Sequence, residues 1–209
     1  EFKKSAVLIL LIREEDDLYV VMTSRSKKLK KHRGEMSFPG GKYEPEVDST
    51  LKETALRETH EEIGVEQDNI EVLGRLDDFP TITGYIIRPF VALLKKDGEE
   101  ISYRLNHGEV AALVKIPLSF LKKEKLFNEK VFPHGDINFS VLSFVFRDPL
   151  HAEDFTIWGA SAHILAEFLL LVFEEDPRSP NYKRPTIPQL LKYRKKYRRK
   201  KRRTRKKRS

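Results

Sequence analysis

Three glutamates, Glu58, Glu61 and Glu62, stand at i, i+3 and i+4 within Arg57-Glu58-Thr59-His60-Glu61-Glu62-Ile63-Gly64-Val65. On a helix that spacing brings all three carboxylates to one face. Like charges packed so closely repel, so a purely structural helix gains nothing from them. A hard divalent cation with oxygen ligands removes the penalty. The helix is well signalled: Thr50 is a good N-cap, Glu53 three residues later completes a capping box, and Gly64 is placed to end the helix left-handed. Leu56 and Ile63, seven apart, mark its predicted buried side. A solvated charged face is the plainer explanation of an acidic run. It accounts poorly for a triple acid beside Arg57, bounded by Gly40-Gly41 and Gly64.

The charge of the chain is unevenly spread. Through Asp176 there are 23 Lys or Arg against 32 Asp or Glu; beyond it there are 17 Lys or Arg and no acid. A body of charge −9 therefore precedes a tail of +17. This predicts a boundary near Pro177, with Pro177, Pro180, Pro185 and Pro188 as a stiff linker. The run from Lys192 to Arg208 holds 14 cations, and its self-repulsion predicts disorder when free. Three roles for it stay open: binding a polyanion such as RNA, solubilising the chain, or folding back onto the acidic body. With no cysteine, disulfides, thiolate metal sites and cysteine nucleophiles are excluded. The two apolar runs, Ala6 to Ile12 and Ile164 to Phe173, are far below the ~20 residues that span a bilayer. An intracellular, cytoplasmic enzyme without a membrane span is the expectation.

In the body, Ala6 to Ile12, Leu18 to Thr23, Ile70 to Leu76, Ile86 to Leu94, Glu109 to Ile116 and Phe139 to Phe146 read as strands. Lys96-Asp97-Gly98 reads as a turn, Pro117 to Leu121 as a short helix and Gly159 to Glu174 as a long apolar one. Alternating elements of this kind predict a layered α/β domain over 1–176, followed by the linker and tail over 177–209.

The acidic segment resembles the Nudix box, the signature of hydrolases that cleave a nucleoside diphosphate linked to another group. The fit runs from Arg57 to Val65, with Thr59 in place of the pattern's aliphatic residue. Upstream, the pattern's glutamate falls on Ser49 and its glycine on Tyr43. The loop is therefore longer than usual; Gly41 takes the glycine's place and Asp48 or Glu53 the glutamate's. Met22-Thr23-Ser24-Arg25-Ser26 and Gly34-Glu35-Met36-Ser37-Phe38-Pro39-Gly40-Gly41 are similar to the accessory motif of the coenzyme A pyrophosphatase branch, as is Trp158-Gly159-Ala160-Ser161-Ala162. The resemblance implies a Nudix α/β/α sandwich with a mixed sheet. It implies Mg²⁺ or Mn²⁺ as cofactor, held by Glu58, Glu61 and Glu62.

The remaining roles follow from that frame. Arg57, four residues before Glu61, can orient that carboxylate or form an ordinary helix salt bridge. Gly40 and Gly41 allow close approach to the substrate or only a tight turn. Arg25 is a candidate phosphate ligand or a surface strand arginine. Phe38 packs under the loop or lies near the nucleotide, and Glu109 is a candidate general base or a solvated strand-edge residue. Three activities are weighed: cleavage of coenzyme A to 3′,5′-ADP and 4′-phosphopantetheine; hydrolysis of ADP-ribose, a dinucleotide or capped RNA; and a catalytically idle nucleic-acid-binding module. The intact glutamates speak against the last.

Overall fold

The computed structural model describes residues 2–14, 16–26, 28, 34–96, 101–123, 126–134, 137–184 and 186–192. The expected tail beyond Lys192, and the turn from Asp97 onward, lie outside these residues.

Strand β1 (Lys3–Glu14) is the axis of the molecule. Leu8, Ile9, Leu10 and Ile12 are all fully buried, because both faces of this strand are covered. That is why its sequence reads as a continuous apolar run rather than an alternation. The C-terminal half of β1 forms a hairpin with β2 (Asp17–Arg25), and its N-terminal residues Ser5, Ala6 and Val7 pair with β4 (Gly40–Lys42). On its other side β1 runs parallel to β7 (Tyr85–Leu94) from Lys3 to Leu11. The sheet is completed by β3 (Met36–Ser37) and β8 (Val110–Pro117) on β2, and by β5 (Ile70–Arg75) and β6 (Phe79–Pro80) on β7. One parallel pair among antiparallel ones makes it the mixed sheet expected.

Helix α1 (Leu51–Ile63) covers one face, over a core that includes Ala6, Leu8, Leu10, Ile12, Phe90 and Leu94. Helix α3 (Ala160–Phe173) covers the other, together with a second antiparallel sheet of β9 (Asn128–His134), β10 (Ile137–Asp148) and β11 (Glu153–Trp158). Between β8 and β9 lies the single turn α2 (Leu118–Leu121). The result is an α/β/α sandwich with one outer layer thickened by three strands. Strands β9 and β11, and the short β3, β4 and β6, carry no sequence pattern strong enough to announce them.

The segment after Pro177 packs against the α3 layer as a strap. Arg178 pairs with Asp176 at 2.7 Å and with Glu167. Tyr182 Oη meets His163 Nδ1 at 2.5 Å, and the Lys183 carbonyl accepts from Ser140 N at 3.3 Å. Arg184 lies over the Phe79 ring at 4.5 Å, and Leu190 is 2% exposed. Linker prolines alone do not foretell any of these contacts.

Candidate active site

Helix α1 begins and ends as its sequence dictates. Thr50 Oγ1 accepts from Glu53 N at 3.2 Å, and Glu53 returns a carboxylate oxygen to Ser49 N at 2.8 Å. Gly64 is left-handed (φ 74°) and its N–H closes on the His60 carbonyl. A Cβ there would stand 2.8 Å from Cβ of Arg104, so the position admits little else. Ile63 is fully buried, whereas Leu56 is only half-buried. Thr59 is also buried and returns its hydroxyl to the Ala55 carbonyl at 2.7 Å. That local bond explains how a polar residue replaces an aliphatic one there.

The three glutamates are not equivalent. Glu62 is 3% exposed. The Gly40 N–H donates to its carboxylate, yet Oε2 has no hydrogen-bond partner. Burial pushes its pKa up to about 8; Arg25 opposes the rise, and Glu58 and Glu109 add to it. Glu58 is likewise raised, first by burial, with Arg57 counteracting and Glu61 and Glu109 repelling. Its carboxylate lies so close to Gly41 that a Cβ on that glycine would overlap it. Glu61 is half-exposed and accepts from Arg57 Nη1 at 3.1 Å.

Arg57 is the hub. Its Nε and Nη2 donate to the two oxygens of Asp48 at 2.8 and 3.0 Å, Nη2 also reaches the Lys42 carbonyl at 3.3 Å, and Nη1 lies 3.1 Å from Glu58. Asp48 is buried and also accepts from Thr54 Oγ1 at 2.8 Å and Glu44 N at 3.1 Å. The Arg57 bond, ahead of the others, overcomes burial and lowers its pKa to about 2. Asp48 therefore holds the arginine, whereas Glu53 serves the helix start. A bidentate anchor of this kind fixes the direction of the guanidinium as well as its charge.

Glu109 reaches the site through the loop of residues 101–109. Arg104 N and Asn106 N donate to the carbonyls of Ile63 and Glu62, both at 3.0 Å, and Glu109 N donates to Asn106. The loop thus satisfies the otherwise open C-terminal carbonyls of α1 and holds Glu109 where its charge adds to the raised pKa of Glu58 and Glu62. Nothing in the loop's sequence signals this docking. Gly40 serves packing, since a Cβ there would strike the β1 backbone at Ala6 and Val7. The Phe38 ring is 2% exposed within the core, so of its two expected roles the packing under the loop is the one its burial fits. Ser161 Oγ donates to the Met36 carbonyl at 3.0 Å, tying the Trp158-Gly159 element to the segment before the glycines.

Among the described residues, no three acidic or imidazole groups converge tightly enough to enclose an ion by themselves. The donor set still fits a hard cation. Glu62 offers an unpartnered buried oxygen, Glu58 presses against a glycine that leaves room for it, and the carboxylates supply oxygen ligands. Glu62 is poorly compensated as it stands, which a bound divalent cation would relieve.

A NUDIX domain model matches residues 2–135. The chain is 36% identical over 193 residues to Nudix hydrolase 15, mitochondrial, of Arabidopsis thaliana, covering 88% of this chain and 65% of that protein. It therefore spans just under two thirds of that relative's length, and the likeness necessarily runs past Pro177. It is 29% identical over 174 residues to the peroxisomal coenzyme A diphosphatase NUDT7 of Mus musculus (83% of this chain, 72% of that protein). It is 30% identical over 171 residues to the Nudix hydrolase NudL of Escherichia coli (81% and 83%).

Proposed function

This chain belongs to the Nudix family, and on that premise we propose that it is a metal-dependent pyrophosphohydrolase whose substrate is coenzyme A, cleaved to 3′,5′-ADP and 4′-phosphopantetheine. The observation that carries the chemistry is the pair Glu58 and Glu62: Glu62 is buried with an oxygen that has no partner, and Glu58, half-buried and paired with Arg57, is pressed against Gly41. Glu58 and Glu62, with Glu61 swinging from Arg57, would hold Mg²⁺ or Mn²⁺. When bound, such an ion neutralises phosphate oxygens and acidifies a water. Arg57, locked by Asp48, sets the directions of Glu58 and Glu61. Glu109, whose charge adds to the raised pKa of Glu58 and Glu62, would be the base that takes a proton from water. Arg25, whose charge opposes the rise in the Glu62 pKa, would meet a phosphate as the substrate enters.

The choice of coenzyme A rests on the motif from Met22 to Gly41 and is supported by the likeness to a coenzyme A diphosphatase. Turnover of coenzyme A, ADP-ribose, dinucleotides and capped RNA with Mg²⁺ or Mn²⁺ tests it; no coenzyme A cleavage would remove the reading. The division into a hydrolase domain over 1–176 and a linker and tail over 177–209 belongs to the proposal, as does a cytoplasmic address. No helix among the described residues is long and apolar enough to cross a membrane.

A second reading concerns the 14 cations from Lys192 to Arg208, interleaved with Tyr193 and Tyr197. Counterion release and base stacking suit them to RNA. The strap that leads to them docks on the α3 layer, opposite the face that carries Glu58 and Glu62. Removing residues 193–209 should abolish RNA binding at low salt and leave coenzyme A turnover intact.

A further inference from the structure

In register, Ala6 of β1 lies opposite Gly41 on one side and Arg88 of β7 on the other. Gly41, Ala6 and Arg88 thus form one row across three strands. Ala6 packs in the core beneath α1, and Gly41 abuts the Glu58 carboxylate, so the row belongs to the face that bears the catalytic glutamates. Two strand spacings, ~10 Å, separate Arg88 from Gly41. Arg75 sits opposite Phe90, another residue of the α1-side core, and Lys4, two residues before Ala6, takes the same face.

These cations gather on one carboxylate. Arg88 grips Asp78 with Nε at 2.7 Å and Nη2 at 2.8 Å. Arg88 ahead of other causes, with Arg75 and Lys4 adding to it, holds the Asp78 carboxyl below its usual range. Arg184 of the strap donates Nη2 to the Asp78 carbonyl at 3.0 Å, which fixes the loop from the far side. An ion pair that served structure alone needs one arginine. Here Lys4, Arg75 and Arg88, with Arg184 behind them, outnumber Asp78 and the exposed Asp77. The excess is positive, and it faces the same side as the diphosphate-cleaving groups.

We propose that Lys4, Arg75 and Arg88 form a subsite for a phosphomonoester carried on the nucleoside end of the substrate, about 10 Å from the scissile diphosphate. The inference rests on the diphosphatase reading above and deepens it: it makes a second phosphate on the ribose a determinant of substrate choice. Asp78 preorganises Arg88, so little side-chain entropy is lost when the phosphate arrives.

The test compares coenzyme A with 3′-dephospho-coenzyme A, using the full chain and its Arg75→Gln, Lys4→Gln and Arg88→Gln variants. Arg75 and Lys4 are exposed, so the first two leave the Arg88–Asp78 pair and the fold in place. The parent should show a KM for coenzyme A lower by about tenfold, the worth of one or two charge-assisted contacts. Each variant should shrink that gap by raising KM for coenzyme A alone. Equal losses on both coenzymes, or no change on either, would overturn the subsite. If the parent cleaves neither, the diphosphatase reading fails, and the subsite is judged by calorimetry. Tighter binding of adenosine 3′,5′-bisphosphate than of AMP, lost in Arg75→Gln, upholds it; equal affinities overturn it.

Discussion

The two faces of the central sheet treat their acidic and titratable groups differently. Beneath α1, Glu62 keeps an oxygen without a partner and Glu58 is desolvated beside other acids. Beneath α3, His163 is bonded to the Ser140 carbonyl and to Tyr182, and Glu129 and Glu167 are met by Ser140, Ser179 and Arg178. Burying unpaired charge is costly, and a fold tolerates it where a ligand supplies the missing partner. On the metal-dependent reading proposed above, the α1 face gives up stability for binding, whereas the α3 face is closed by the strap.

The strongest way to break this contrast is to neutralise the α1 face. Glu62→Gln and Glu61→Gln should each lower turnover by more than about a hundredfold, since each removes a ligand charge without changing shape. In metal-free neutral buffer Glu62→Gln should melt no lower than the parent, because burial has pushed the Glu62 pKa up to about 8 and the amide replaces a carboxyl that is already mostly neutral. Added Mg²⁺ should raise the melting temperature of the parent but not of this variant. Near-normal activity in both would end the metal assignment. Gly41→Ala should follow with a loss of roughly tenfold or more, as its methyl displaces the Glu58 carboxylate.

The opposite face predicts the reverse pattern. A chain ending at Pro180 loses the Tyr182–His163 bond, the Arg184 contacts and the buried Leu190. It should lose about 3 kcal/mol, or roughly 10 °C in thermal unfolding. A chain ending at Lys192 should match the parent. Equal melting of all three would show that the strap contributes nothing.

The smallest effect is a pH dependence. Burial, with Arg184 and Arg178 nearby, lowers the pKa of His163 to about 4, against the ordinary ~6.5 of the unfolded chain. The unfolded state therefore binds the proton first as pH falls. The stability owed to neutral His163 is complete above ~6.5 and drains away as pH drops through about 4. His163→Gln should flatten that part of the stability–pH curve, read by chemical denaturation. An unchanged curve would mean that His163 is not the group responsible.

Local signals determined a good part of this protein. Thr50, Glu53 and Gly64 set the ends of α1, because caps act through bonds three or four residues long. The long apolar strands and α3 were legible from runs too hydrophobic to leave exposed. The acidic box, its Arg57–Glu61 bond and the glycines beside it were visible because helical spacing alone brings them together. Tertiary structure decided the rest. Only packing buried Glu62 and Phe38, and left Glu61 in water. Asp48 reaches Arg57 through a loop whose length no periodicity fixes, and Glu109 arrives on a loop that pairs with helix carbonyls rather than with a strand. The row of Gly41, Ala6 and Arg88 unites residues far apart in the chain. It depends on strand register, which is set by which faces become buried and is absent from any single segment.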